Sequence, residues 1–463
     1  MDVCRIAKRV WRERPLIACG AAGVGLALLI GLVSCQTAGV RGRIEGSMPS
    51  EPEVRVRIRT GLASTKLSGG ATMRVREVPG GEVRELPGPL TLAAESERIV
   101  VTDGQGRAHE HAPTRVLEIG TDGSGPLRVD GKAFPGRVVV TPRLLTGEAA
   151  RLALAAGSAE AGSGTRGSTT GSAIRRLDLI EVVPLEEYVA GVTASELIKG
   201  WPLGAYQVQA VCARTYALHE RSRAIRLGRD YDLESTTLDQ AYNGATAIPE
   251  AARGVADTRG VVLSWEGRVL RAYYSSTCGG RTASAADTWP TGPGFEFNLD
   301  APIQAKHREH ACEPSPAYRW EVSRDRAALT KQIKEWGRSS GNAIAGMGTI
   351  AGVRVESENA DGRPARFVVT DDKGKSFVIS AEMLRVACNT PAAGVPEVTR
   401  QTRVRSGDLE MDVGGSTVTI RGRGFGHGVG MCQYCAKGFA DRGVPWREMV
   451  LRFYPGARLE RAY

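Results

Sequence analysis

The chain has 463 residues, 42% of them hydrophobic and 24% charged, which excludes a wholly disordered, collagen-like or polytopic membrane protein. Lysine and arginine outnumber aspartate and glutamate by 61 to 51, a net charge of +10. Beyond the N-terminus this excess is scattered without a dense basic run, so nucleic acid is not the expected partner, while a mildly basic surface suits a polyanion such as the bacterial envelope.

Arg5, Lys8, Arg9, Arg12 and Arg14 precede Leu16–Val33, a run of eighteen residues without a charge. A basic stretch followed by an apolar one reads as a secretory signal over residues 1–34. Leu32-Val33-Ser34-Cys35 is similar to a bacterial lipobox, in which Cys35 is acylated and begins the mature chain. A plain transmembrane anchor is the other reading, because eighteen residues is near the minimum for a span. Both place the bulk of the chain outside the cytoplasm, facing the periplasm or cell surface. Residues 35–53 read as a tether.

Residues 54–130 are β-like. Val54-Arg-Val-Arg-Ile58, Thr72-Met-Arg-Val75 and Arg98-Ile-Val-Val-Thr102 are separated by Gly-Gly and Pro-Gly turns. Val138–Thr141 and Leu177–Val183 are two further strands, opening a core segment over residues 131–312. Between them, residues 156–172 are nearly all Gly, Ser, Ala and Thr, a composition that buries nothing and predicts a flexible insertion.

Pro184 then opens a helix over Leu185–Leu197, with Glu186 and Glu187 suiting the positive end of its dipole. Gly200-Trp-Pro breaks it, and a second helix follows from Leu203 to about Arg223. Val261–Trp265 and Leu270–Ser275 flank Glu266-Gly267 as a hairpin. Residues 313–400 read as a small α/β insertion, with helices at Arg326–Gly337 and Ser380–Ala387 and strands Val353–Glu358 and Arg366–Thr370 around Asp361-Gly362. Residues 401–463 are Gly-rich, ending in a short helix near Trp446–Phe453. This order predicts an α+β fold with antiparallel hairpins rather than regular βαβ alternation.

At about 100° per residue, Val189, Val192 and Glu196 all fall within about 40° of Leu185. Glu196 therefore projects from the apolar stripe of the first helix. A carboxyl group in that position raises its pKa unless it is paired, and a protonated carboxyl is what a general acid needs. If the helix ends by Ser195, Glu196 instead faces solvent. On the second helix, Leu203, Gln207, Ala210, Arg214, Ala217 and Leu218 share one face, so Arg214 needs a carboxylate partner, for which Glu187 or Glu196 is in reach. It is either a structural ion pair or a substrate clamp.

Glycine occupies positions 422, 424, 426, 428 and 430, a spacing that fits no nucleotide-binding loop but allows close backbone approach. His427 lies within it. Cys278, His307-x2-His310-x-Cys312 and Cys432-x2-Cys435 offer a structural zinc site of mixed Cys and His ligands, or else two disulfides, Cys278–Cys312 and Cys432–Cys435. An even set of six cysteines in an exported segment favours oxidation.

Several ordered blocks resemble the family of stage II sporulation protein D and the LytB amidase enhancer. They are Pro184-Leu-Glu-Glu-Tyr-Val-Ala-Gly-Val192, Ala194-Ser-Glu196, Trp201-Pro, Gln209-Ala-Val-Cys-Ala-Arg-Thr-Tyr216, Asp239-Gln-Ala-Tyr-Asn-Gly244, Tyr274-Ser-Ser-Thr-Cys-Gly-Gly280, Gly424-Phe-Gly-His-Gly-Val-Gly-Met431, Gln433 and Tyr454-Pro-Gly456. The resemblance implies a protein acting on peptidoglycan. It includes lytic transglycosylases that leave a 1,6-anhydro end, with Glu196 as acid/base and a cleft lined by Gln209, Arg214, Tyr216, Ser275, Ser276, His427 and Gln433. It also implies the alternative of a non-catalytic glycan-binding module that stimulates a cell-wall amidase. Cys432 and Cys435 depart from the family's usual Ser and Gly, and His307–Cys312 lies where some members carry zinc ligands.

Overall fold

In a computed structural model, residues 48–146 and 174–463 are described. The expected signal, the lipidation site Cys35 and the flexible insertion 156–172 lie outside the described residues. No helix among the described residues is long and apolar enough to cross a membrane. The fold is α+β, with a β-rich N-terminal part.

Two compact units divide the described residues, 48–146 and 174–271 with Glu460–Tyr463, and Ala272–Leu459. The boundary falls inside the segment expected to form one core, 131–312. In the first unit, β1 (Glu53–Leu62), β2 (Arg137–Leu145) and β3 (Ile174–Pro184) belong to a seven-stranded sheet, with β3 antiparallel to both others. A six-stranded sheet is built from the short strands between β1 and β2. The alternation read from the sequence holds in β1: Val54, Val56 and Ile58 are buried, while the residues between them are arginines. Those arginines are neutralised by ion pairs, Arg55 with Asp232 at 2.7 Å and Arg57 with Asp178 at 3.3 Å and with Glu234.

Three helices follow β3: α1 (Leu185–Glu196), α2 (Leu203–Arg226) and α3 (Pro249–Asp257). Leu185, Tyr188, Val189 and Val192 form the buried stripe of α1, which packs on α2 and α3. The expected hairpin is shorter than the sequence suggests. The local hairpin joins β4 (Val261–Trp265) to β5 (Arg268–Val269), across Glu266 and Gly267 at φ 50° and 77°. The remainder, Tyr274–Ser275, leaves this ladder altogether.

In the second unit those two residues form β6 (Tyr274–Ser275), which pairs in parallel with β10 (Met431–Cys432), a strand too distant in sequence for local alternation to reveal. β7 (Arg319–Asp325) pairs with β9 (Thr417–Arg423), which also pairs with β8 (Leu409–Val413). A second three-stranded sheet spans Ile350–Glu358, Pro364–Asp371 and Ser376–Ser380. α4 (Arg326–Ser340) starts on the Asp325 carboxylate, which accepts the Ala328 N–H at 2.7 Å, and stops at Gly341 in the left-handed region. α5 (Ala381–Cys388) is capped by Ser380. Trp320, Leu329, Ile333, Phe367, Val369, Leu384, Val418 and Ile420 fill the core of this unit. α6 (Gln433–Asp441) and α7 (Trp446–Phe453) complete it.

Candidate functional site

Glu196 is the last residue of α1 and is half-buried. Its Oε1 accepts the backbone N–H of Ala241 at 3.0 Å. Gly191 makes this approach possible: a Cβ there would stand 2.4 Å from the Gly244 carbonyl oxygen and 2.5 Å from the Tyr242 ring. A side chain at 191 would therefore push the segment Asp239–Gly244 off the helix. Two further bonds fasten it, from Asn243 Nδ2 to Ser195 Oγ at 3.2 Å and from the Tyr188 hydroxyl to Gln240 Oε1 at 3.1 Å.

Carboxyl groups with opposed tendencies surround this end of α1. Burial and the nearby Glu220 charge push Asp239 up to about 6, although it accepts the Glu234 N–H at 2.8 Å and the Tyr216 hydroxyl at 2.9 Å. Burial pushes Glu181 up to about 7, against the N–H of Gly136 that its Oε1 accepts at 2.8 Å. Glu220 is buried as well, but Arg271 at 3.1 Å and His219 at 3.0 Å hold it down to about 2. Asp239 was readable only as part of a motif block, because an Asp in a loop carries no periodic signal.

Arg214 is wholly buried, as its place in an apolar stripe predicts, but its partner is neither Glu187 nor Glu196. It is Glu186, gripped through Nε to Oε1 at 3.0 Å and Nη2 to Oε2 at 2.6 Å. Glu186 also accepts the Gly260 N–H at 3.0 Å and the Tyr463 hydroxyl. Burial alone would raise the Glu186 pKa, yet Arg214 holds it below the usual carboxylate range. The geometry is that of a structural ion pair. Gln209 is buried on α2, and Tyr216 donates to Asp239 with the Arg271 guanidinium 5.1 Å from its ring centroid.

In the second unit the structure brings Ser275, Ser276, His427 and Gln433 together. Ser275 Oγ accepts the Gly428 N–H at 3.2 Å, and the Ser276 carbonyl accepts the N–H of Tyr434, next to the buried Gln433. The glycines serve close approach here: a Cβ on Gly430, at φ 71°, would lie 2.1 Å from the Tyr273 carbonyl oxygen. His427 Nδ1 accepts the Val429 N–H at 3.0 Å, so the neutral ring carries its proton on Nε2. Burial pushes its pKa down to about 4, outweighing the pull of Glu382. The Trp289 ring stands edge-on to this imidazole, 4.9 Å between centroids, and stacks on Tyr273 at 4.0 Å.

Cys278, Cys312, Cys432 and Cys435 are all buried, and their sulfurs lie within 4.8 Å of one another. The expected histidines are elsewhere. His307 is exposed with Nδ1 3.2 Å from Asp361, and His310 Nε2 meets the Tyr318 hydroxyl at 3.4 Å and Glu313 at 3.2 Å. The mixed Cys and His set is thereby corrected to four cysteines. Residue spacing placed His310 near Cys312, but the backbone between them turns the ring toward Tyr318.

Residues 174–265, which contain α1, α2 and Glu196, match the SpoIID family, described as stage II sporulation protein. Residues 296–430 match a domain of unknown function, DUF8618. Stage II sporulation protein D of Bacillus amyloliquefaciens is 27% identical over 297 residues, 61% of this chain and 76% of that protein. The amidase enhancer of Bacillus subtilis (strain 168) is 26% identical over 287 residues, 58% of this chain and 40% of the enhancer.

Proposed function

The chain belongs to the SpoIID/LytB family, and on that premise we propose that it is a peptidoglycan lytic transglycosylase with Glu196 as its single acid/base. The observation that carries the proposal is the placement of Glu196. It ends a buried helix, half-exposed, with one carboxylate oxygen fixed by the Ala241 N–H. A carboxyl group held in this way is oriented without being sealed from a substrate.

One carboxyl group suffices for this chemistry. Glu196 gives its proton to the oxygen leaving the MurNAc C1 as the bond to GlcNAc breaks. The resulting carboxylate takes the proton of the MurNAc C6 hydroxyl as that oxygen closes onto C1, which regenerates the acid and leaves a 1,6-anhydro end. Water is not consumed, so the second carboxylate of ordinary glycoside hydrolysis has no role. The substrate is the glycan strand, and the protein acts outside the cytoplasm, tethered through the lipid on Cys35.

A second reading is a glycan-binding partner of a cell-wall amidase, favoured by the similarity to the amidase enhancer. Digestion of purified sacculi separates the two. The wild-type chain releases anhydro-muropeptides; Glu196→Gln releases none and still sediments with sacculi. Sedimentation without any release by the wild-type chain, together with stimulation of an added amidase, establishes the second reading instead.

A further inference from the structure

Four cysteines of the second unit, Cys278, Cys312, Cys432 and Cys435, come from three separate stretches of chain. Cys278 follows β6 in the turn Cys278-Gly-Gly, Cys312 closes the loop before β7, and Cys432 and Cys435 span the junction of β10 and α6. From Cys278, the sulfur of Cys312 is 3.6 Å away and that of Cys435 is 3.7 Å away. A disulfide requires about 2.05 Å. Four thiolates at about 2.3 Å from one tetrahedral ion stand about 3.8 Å apart. The spacing is thus that of ligands around a single ion, and it is too tight for an iron–sulfur cluster, in which the thiolates bind several irons bridged by sulfides.

Backbone donors and cations surround the sulfurs. Cys432 Sγ accepts the N–H of Cys278 at 3.2 Å and of Cys435 at 3.4 Å, and Cys435 Sγ accepts the N–H of Ala311 at 3.4 Å. Donors aimed at sulfur stabilise negative charge. Two cations are close by. Arg308 donates to the carbonyl oxygens of Gly430 at 2.6 Å and Phe453 at 2.8 Å, and the buried Arg363 guanidinium reaches carbonyl oxygens of Arg281 and His427, each at 3.2 Å.

We propose that Cys278, Cys312, Cys432 and Cys435 bind one zinc ion as a closed tetrathiolate. Binding releases the thiol protons to water and leaves a complex of charge −2, which Arg308 and Arg363 balance. With four protein ligands there is no open position for water or substrate, so the ion is structural. It fastens the strand bearing Ser275 and Ser276 to the start of α6, where Gln433 sits. This holds whatever reaction Glu196 performs.

The test uses the purified full-length chain, prepared without a metal-binding tag. Elemental analysis should find about one zinc per chain, as expected of a structural site. A mercurial that captures thiols should release it in step with their titration, as read with a zinc-sensitive dye. Cobalt(II) supplied in place of zinc should give thiolate-to-metal charge-transfer and tetrahedral bands. Cys312→Ser and Cys435→Ser should lose the zinc, whereas Cys388→Ser and His310→Ala should keep it. Should the cysteine variants fail to fold, the cobalt spectrum of the wild-type chain decides alone. Metal-free protein whose thiols appear only after reduction overturns the proposal in favour of disulfides. Bound iron overturns the zinc assignment, and loss of zinc in His310→Ala overturns the tetrathiolate.

Discussion

Arg214 and Glu186 face each other as a two-pronged ion pair, 2.6 Å and 3.0 Å between donor and acceptor atoms, with Arg214 shut off from water. Removing one member strands the other charge in the interior, which costs about 3–5 kcal/mol. Arg214→Met should therefore lower the melting temperature steeply, and Arg214→Lys should recover only part of it, because an ammonium cannot make both bonds. Calorimetry on the two variants checks this; a wild-type melting temperature in Arg214→Met would show that the pair is dispensable.

Glu181 makes the stability of the first unit depend on pH. Its folded pKa of about 7 lies above the ordinary 4.5, so the folded protein holds this proton where the unfolded chain releases it. The favourable contribution is complete below pH 4.5 and is lost as pH rises through about 7. The difference corresponds to about 3 kcal/mol. In urea unfolding at pH 5 and pH 8, Glu181→Gln should lose much of the decline seen in the wild-type chain. An equal decline in both would assign the pH dependence to other groups.

Gly191 is the position where α1 admits the segment carrying Ala241. Gly191→Ala puts a methyl group 2.4 Å from the Gly244 carbonyl oxygen, an overlap that costs about 1–3 kcal/mol and displaces that segment. Hydrogen exchange should speed up at Ala241 and Tyr242, whereas Gly120→Ala, with nothing within 4 Å, should leave exchange unchanged. Unaltered exchange at Ala241 in Gly191→Ala would contradict the packing described.

Much of this site is legible in the sequence. Pro184 and the spacing Leu185, Val189, Val192 locate α1 and place Glu196 on its inner side, and the same spacing on α2 buries Arg214. The partner of Arg214 was not legible, since Glu186, Glu187 and Glu196 all lie on one helix and only its rotation against α2 selects Glu186. Tyr274–Ser275 reads as the end of a hairpin because alternation records local pattern, whereas its true partner is Met431–Cys432. The cysteines were visible as candidates. Their grouping without the histidines was not, because it depends on how three distant stretches meet.

The closure proposed for Glu196 is intramolecular and consumes no water. Digesting a defined peptidoglycan glycan strand in water enriched in heavy oxygen tests it most directly. The wild-type chain should release anhydro-ended products with no heavy oxygen at the newly formed MurNAc end, and Glu196→Gln should release nothing. One heavy oxygen at each new reducing end would show hydrolysis and contradict the mechanism.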